Sequence, residues 1–156
     1  MNDRYLHKAK DKDDGKWYEG YYMCFHDTTY CSMPSDNVEE TKKLEEENTH
    51  HYIAFERMTD WGLPNRHLVA KIDASTICQC TGLKDKNGKL IWENDIVKVR
   101  YSDGQEEISQ VSWDKYGYYP WTNEYQCDGC VLYCEITDIE VIGNIFDNPE
   151  LLEVEE

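Results

Sequence analysis

Residues 81–97 read TGLKDKNGKLIWENDIV, and this stretch decides how the chain folds. Its segment 85–88, Asp-Lys-Asn-Gly, is predicted to form a tight hairpin turn, because Asn and Gly accept the positive φ that such a reversal requires. Residues 93–95 form a second polar turn. That turn leads into 96–101, IVKVRY, whose β-branched residues favour a strand. The stretch therefore predicts short antiparallel strands in succession.

Towards the N-terminus, residues 4–10 and 16–24 are predicted to be two strands joined by 11–15, with Gly15 in the left-handed conformation. Successive side chains of a strand point to opposite faces. The second strand therefore presents two sets of side chains, Trp17, Glu19 and Tyr21 on one face and Tyr18 and Tyr22 on the other.

An acidic insertion is expected near residues 34–50. Residues 36–39 resemble a helix capping box, so 38–48 is either a short solvated helix or a mobile loop. Val38 and Leu44 are its only strongly apolar residues, which gives a helix little reason to dock. We expect low order here, and a role as an acidic interaction arm is the alternative.

The remaining strand predictions complete a mainly β protein with little helix. They fall at 52–55, 67–72, 77–79, 107–114, 131–136 and 140–146, and Pro149 begins a single helical turn. Short strands at close spacing favour a small SH3-like barrel at about 81–146, to which an N-terminal β layer is added. We expect a single domain of residues 1–156, with the layer at 1–80, the barrel core at 81–152 and an acidic tail at 153–156.

These motifs resemble the YopX family of phage- and prophage-encoded proteins, for which the resemblance implies no settled activity. It extends from the opening hairpin, through 75–79 and the central stretch, to the closing motif IEVIGNIFDNPEL at 139–151. The resemblance marks a structural signature: Thr81, Gly82, Asp85, Asn87, Gly88, Asp95, Gly143 and Asn144. Two positions depart from the family pattern. Asn94 replaces a usual Gly, and Asn tolerates left-handed φ second best, whereas Cys80 replaces a tyrosine-like residue.

The charge of the chain argues against several classes of partner. The 156 residues include 16 Lys and Arg against 32 Asp and Glu, a net charge of −16. Such a surface repels phosphate backbones and anionic lipids, so direct nucleic-acid binding and membrane binding are not expected. The acidity serves solubility or offers a docking face to a basic partner.

The seven cysteines are expected to be reduced thiols. The N-terminus lacks a secretory signal and no apolar run is long enough for a membrane span, which predicts a cytoplasmic location in a host bacterial cell. Cys127 and Cys130 have the spacing of a zinc knuckle, and Cys78 and Cys80 could complete a four-thiolate zinc site. The family pattern does not require these cysteines, so we predict neither a metal nor any other cofactor.

Two further groups are candidate sites. His50 and His51 are adjacent, so on a strand they point to opposite faces and do not easily share one metal ion. Asp95 lies in the signature beside Glu93, and it is either a turn carboxylate that accepts backbone N–H groups or part of an enzyme site. The sequence contains no Ser, His and Asp in the order of a catalytic triad, no phosphate-binding glycine loop and no His-Glu helix motif.

Three functional hypotheses result, and a non-catalytic module that binds a host or phage protein is the one we favour. Its candidate surface is the aromatic segment with Tyr116, Tyr118, Tyr119, Trp121 and Tyr125, since Tyr and Trp dominate interface hot spots. The alternatives are an acidic nucleic-acid mimic that occupies a basic host protein, and an enzyme with a site near Asp95. Self-association into a homo-oligomer is left open.

Overall fold

The computed structural model describes residues 3–27, 38–114, 117–120 and 136–153. These residues form ten strands, one α-helix and three short 3-10 helices. The strands are β1 (His7–Lys10), β2 (Trp17–His26), β3 (Thr49–Arg57), β4 (Arg66–Lys71), β5 (Cys78–Lys84), β6 (Leu90–Trp92), β7 (Asp95–Tyr101), β8 (Glu106–Asp114), β9 (Gly117–Pro120) and β10 (Ile136–Asn144). The helix α1 is Val38–Asn48, and the 3-10 helices are Asp3–Tyr5, Ala74–Thr76 and Pro149–Leu152. The predicted mainly β class is confirmed.

Residue contacts divide the chain into two compact units. The first is Leu6–Ile77, and the second combines Met1–Tyr5 with Cys78–Glu156. The predicted division between an N-terminal layer and a barrel core, after residue 80, falls close to this boundary. That the whole chain acts as a single domain stays a prediction.

The first unit contains an antiparallel sheet in the order β4-β3-β2-β1. One face of this sheet is buried, because residues that pair across neighbouring strands turn their apolar side chains to the same side. Its core is a cluster of Ala9, Ile53, Ala70 and Ile72, against which Tyr18, Tyr22, Phe55 and Ile77 pack. The predicted division of β2 into two faces is confirmed, since Tyr18 and Tyr22 lie on the core side.

The turns and loops of the first unit agree in part with the predictions from the sequence. Gly15 has φ +66°, as predicted, and the Asp11 carboxylate accepts the backbone N–H groups of Asp13 and Asp14 at 2.8 and 3.0 Å. Of the two alternatives for 38–48, the structure contains the helix rather than a loop. Leu44 is exposed on it, which agrees with the shortage of apolar contacts. Among the described residues, no helix combines the length and the apolar character needed to span a bilayer.

The second unit contains the β5–β6 hairpin and a four-stranded antiparallel sheet in the order β10-β7-β8-β9. Its core is a cluster of Ile91, Val97, Val99 and Val111, packed against Tyr101, Ile136, Ile139 and Val141. Within the described part of this unit, the strand ladders remain open, so closure into an SH3-like barrel is not confirmed. Of the predicted strand 131–136, only the last residue lies within the described ranges.

Candidate functional site

The predicted turn at 85–88 is held by the carboxylate of Asp85. Its Oδ1 atom accepts hydrogen bonds from the backbone N–H groups of Asn87 and Lys89, at 2.8 and 2.9 Å. The backbone N–H of Gly88 donates to the Asp85 carbonyl at 2.9 Å, and Gly88 has φ +81°. The left-handed conformation predicted for Gly88 is therefore confirmed.

The same turn contacts the outer edge of β10. The second oxygen of Asp85, Oδ2, accepts the backbone N–H of Val141 at 3.2 Å, and the backbone N–H of Lys86 donates to the carbonyl of Ile139 at 2.9 Å. Burial raises the pKa of the Asp85 carboxyl, but the N–H groups of Lys89, Val141 and Asn87 together outweigh it and hold this pKa below its ordinary value. Asp85 thus connects a local turn to a strand more than fifty residues away in sequence.

Asp95 is a buried carboxylate at the start of β7, only 1% exposed. Its Oδ2 atom accepts the backbone N–H of Trp92 at 2.9 Å, and its Oδ1 atom accepts Nδ2–H of Asn144 at 3.2 Å. The Oδ1 atom of Asn144 accepts the backbone N–H of Phe146 at 3.0 Å. These contacts fit a turn carboxylate, and the alternative of an enzyme site near Asp95 stays untested.

One of the two positions where this chain departs from the family pattern, Asn94, also has a structural explanation. Asn94 has φ +66°, the left-handed value that Asn tolerates. Its side-chain amide donates to the Cys78 thiol at 3.8 Å and its Oδ1 atom accepts Nε2–H of Gln110 at 2.9 Å. Asn94 therefore supplies the turn conformation of glycine and adds two side-chain contacts.

The other signature residues have structural partners too. The Thr81 hydroxyl donates to the carbonyl of Ile91 at 2.7 Å, and Gly82, with φ +77°, lies where the β5–β6 register shifts. The β10–β7 ladder shifts its register between Val141 and Gly143. A Cβ atom at Gly143 would lie 2.7 Å from Cδ1 of Leu151, so the missing side chain makes room for the last 3-10 helix.

The structure tests the metal hypotheses only in part. Cys78 and Cys80 are buried on β5, whereas Cys127 and Cys130 lie outside the described residues. Within the described ranges, no group of three or more His, Cys, Asp or Glu side chains is placed to hold a metal ion. The four-cysteine zinc site stays an untested alternative.

The adjacent histidines diverge as expected for neighbours on a strand. His50 Nε2 lies 2.8 Å from the Asp27 carboxylate, and His51 Nδ1 lies 2.6 Å from the hydroxyl of Tyr22. Tyr22 belongs to the packed side of the sheet. The two rings thus contact different groups.

The predicted aromatic surface falls mostly on residues for which the structure gives no side-chain description. Tyr116, Trp121 and Tyr125 lie outside the described residues. The backbones of Tyr118 and Tyr119 form part of β9, opposite Trp113 and Ser112 of β8. Whether this segment is a binding surface stays a prediction.

A different aromatic surface lies on the first unit, on the side of the sheet opposite its core. We call it the outer face, and it consists of Lys8, Lys10, Trp17, Glu19, Tyr21, Met23, Phe25, His50, Tyr52, Ala54, Glu56, His67, Val69 and Lys71. Tyr21, Phe25 and Val69 are 47%, 54% and 57% exposed. The rings of Phe25 and Tyr52 are 6.0 Å apart, and the ammonium groups of Lys8 and Lys10 lie 5.3 and 5.5 Å from the Trp17 ring.

Comparison with known proteins decides the family. The family model described as YopX protein matches residues 6–153, which is nearly the whole chain. The chain belongs to the YopX family. The resemblance seen in the signature is therefore confirmed, and no curated protein matches the sequence. Among solved structures, the YopX-family chain is similar to the crystal structure of protein EF1440 from Enterococcus faecalis, with a TM-score of 0.48 and 22% identity, over 94% of this chain and 96% of that one.

The outer face was not proposed as a site from the sequence of this YopX-family chain, although a signal for it was present. Alternate residues of β2 from Trp17 to Phe25 are aromatic or apolar, except Glu19. Tyr18 and Tyr22, on the other side, are also aromatic, so alternation alone did not show which side is buried. The strand order was needed, because β1, β3 and β4 place Ala9, Ile53 and Ala70 on the side of Tyr18 and Tyr22.

Proposed function

We propose that this YopX-family chain is a non-catalytic accessory module that binds a host or phage protein through its outer face. Its place of action is the cytoplasm of the bacterial cell, as the sequence predicts. The proposal assigns the signature residues to folding and the outer face to function. It is supported by where each group lies: the signature carboxylates accept hydrogen bonds within the fold, whereas the aromatic side chains of the outer face meet solvent.

The observation that carries the proposal is the exposure of Tyr21 and Phe25 on β2 and of Val69 on β4, on the same side of one sheet. Burying apolar surface is worth about 25 cal/mol per Å². A contiguous apolar patch therefore gains free energy when a partner covers it. Tyr, Trp, Phe and Met, all present on the outer face, are the side chains enriched in protein interfaces.

The test is capture of partners from host cells, identified by mass spectrometry, with matched variants. Phe25→Ser combined with Val69→Ser should remove the specific partner, whereas Ile108→Ser should retain it. Ile108 is the matched control because it is an exposed apolar residue on a strand, β8, of the other unit. Circular dichroism of each variant establishes that it is folded. A folded face variant that captures the same partner as the parent chain would refute the proposal.

The aromatic segment predicted from the sequence is tested in the same experiment. Alanine at Tyr119 and Trp121 leads to one of two results. Loss of folding assigns these residues to the core, and loss of the partner from a folded protein assigns them to the interface.

A second candidate, the acidic nucleic-acid mimic, is favoured by the net charge of −16 and by the exposed glutamates of α1. These are Glu39, Glu40, Glu45, Glu46 and Glu47. A mimic that occupies a basic protein depends on charge, so its capture should decrease steeply between low and high salt. Capture that salt leaves unchanged would contradict the mimic and agree with an apolar interface.

A further inference from the structure

We infer that the open edge of β4 takes up an extended segment of the partner protein, which pairs with β4 as a further strand and places an apolar side chain beside Val69. The inference rests on the proposed protein-binding function and adds how the partner is held. Its basis is the direction of the backbone groups along β4, which is the last strand of its sheet.

The backbone groups of alternate β4 residues point away from β3. In an antiparallel ladder, residue pairs that exchange N–H···O bonds alternate with pairs that do not. The N–H of Ile72, just after β4, donates to the carbonyl of His51 at 3.0 Å, and the β3–β4 register continues from this pair. The even-numbered residues of β4 therefore bond to β3, whereas the N–H and C=O groups of His67 and Val69 point to the other side.

One end of this edge is covered and the rest is open. The N–H of Lys12 donates to the Lys71 carbonyl at 2.9 Å, which closes the end of the strand. In the part of the chain that the structure describes, the outward backbone groups of His67 and Val69 have no hydrogen-bond partner, and Val69 is 57% exposed. An exposed edge of this kind is a template for pairing with a strand of another protein.

An added strand would extend a row of side chains on the outer face. Val69 pairs with Ala54 of β3, and Ala54 pairs with Tyr21 of β2. Side chains of directly opposite residues point to the same face of a sheet. The partner residue opposite Val69 would therefore lie beside it on the outer face, where a β-branched or aromatic side chain covers the exposed valine.

A second copy of the chain fits this edge less well. If two β4 strands paired antiparallel about Val69, His67 of one copy would lie opposite Lys71 of the other. The strand reads RHLVAK and contains no acidic residue, so two copies would bring like charges together, in addition to the repulsion between two chains of net charge −16. Charged side chains on an edge strand hinder pairing between identical chains, whereas a segment of a different protein need not carry them.

The experiment uses the full chain as bait for a display library of random peptides. The expected peptides lack proline and are rich in β-branched and aromatic residues, because a paired strand needs its N–H groups. The best peptide is labelled and its affinity is measured by fluorescence anisotropy, after which each of its backbone amides is N-methylated in turn. Methylation at alternate positions should weaken binding by about tenfold or more, and at the positions between by less than about threefold, because only alternate N–H groups of an added strand face β4.

Two variants of Val69 test the same contact from the side of the chain. Val69→Pro removes an N–H that makes no bond to β3, so the β3–β4 ladder is kept while binding should weaken by about tenfold or more. Val69→Ala is the matched control, because it removes the same side chain and retains the N–H, and it should weaken binding by about two- to fivefold. Circular dichroism establishes that each variant is folded. If Val69→Pro does not fold, the methylation series decides.

Equal losses of affinity in the two Val69 variants would overturn the inference, as would a methylation series without alternation. A dimer of the parent chain in sedimentation that Val69→Pro abolishes would also overturn it, by assigning the edge to a second copy.

The inference and the proposed function fail in different ways. Peptides that depend on Phe25 but show no alternation on methylation would overturn strand addition and support protein binding at the outer face. Peptides that bind Phe25→Ser and Val69→Pro as well as the parent chain, or a library from which no peptide is enriched, would count against both.

Discussion

Replacing Asp85 with alanine should destabilise the second unit more than its position in a surface turn suggests. The change removes the acceptor of three backbone N–H groups, those of Asn87, Lys89 and Val141. Asn87 and Lys89 are exposed, so water replaces the lost acceptor and each bond contributes about 0.5–1 kcal/mol. The N–H of half-buried Val141 contributes about 1–2 kcal/mol. The expected loss of unfolding free energy is therefore about 2–4 kcal/mol, a shift in Tm of several degrees for a chain of this size.

The assay is urea unfolding of the parent chain and two variants at neutral pH, with hydrogen exchange of the Val141 amide as a local readout. Asp103→Ala is the matched control, since its carboxylate accepts a single backbone N–H, that of Gln105 at 2.9 Å, in an exposed turn. It should cost less than about 1 kcal/mol. If both variants lost the same free energy, Asp85 would be an ordinary turn residue and our account of it would be wrong.

The effect of Asp85→Ala should also depend on pH. The folded pKa of Asp85 is depressed, so its charged form stabilises the fold above the unfolded pKa, which is about 3.9. This contribution is lost as the pH falls through the folded pKa. The gap in stability between the parent chain and Asp85→Ala should therefore narrow in acid, and a gap that is constant down to the acid transition would contradict the assignment of the depressed pKa to the three N–H bonds.

Three further variants or measurements test individual positions. Gly88→Val should lower the free energy of unfolding by about 1–3 kcal/mol because φ is +81°, whereas Gly88→Asn should lower it less. If the two variants had the same Tm, the argument from the turn conformation would be wrong. Gly20→Ala should cost about 2–3 kcal/mol or more, since its Cβ would clash with the backbone carbonyl of Ala54. Gly15→Ala is the control in the same unfolding assay: it has open space around it, so it should cost only the strain of its φ of +66°, about 1 kcal/mol. The carboxyl of Glu106, bonded to Lys98 and Arg100, should titrate by NMR at about 2, and a midpoint near 4.5 would show that these ion pairs do not form in solution.

The turns and most strands were predictable because their signals are local. Gly15, Gly88 and Asn94 have the left-handed conformation that Gly and Asn tolerate better than other residues. The long-range contact of Asp85 with Val141 was not predictable, because it depends on where β10 lies in the sheet. The spacing of short strands predicted a closed barrel. Spacing does not determine, however, whether hydrogen bonds form between the strands that would close it.

The surface was harder to predict than the core for a related reason. A strand such as β2, with aromatic residues on both sides, contains no information about which side will be buried. That depends on the neighbouring strands, because β1 and β3 place Ala9 and Ile53 on the core side, opposite Tyr18 and Tyr22. The aromatic segment near Trp121 is visible in the sequence because its aromatic residues lie close together along the chain, whereas the outer face is assembled from four strands.

Under the proposed function, folding and binding belong to different units of this YopX-family chain. Asp85 and Asp95 lie in the unit Cys78–Glu156, whereas the outer face belongs to Leu6–Ile77. A carboxylate whose oxygens accept hydrogen bonds within the fold is placed to hold strands together, and an exposed aromatic side chain gains more from a partner than from its own fold. Substitutions in the signature should therefore alter stability first, and substitutions on the outer face should alter binding while the chain remains folded. If the proposed function holds, membership of the YopX family fixes the fold of this chain, and the side chains on the outer face select its partner.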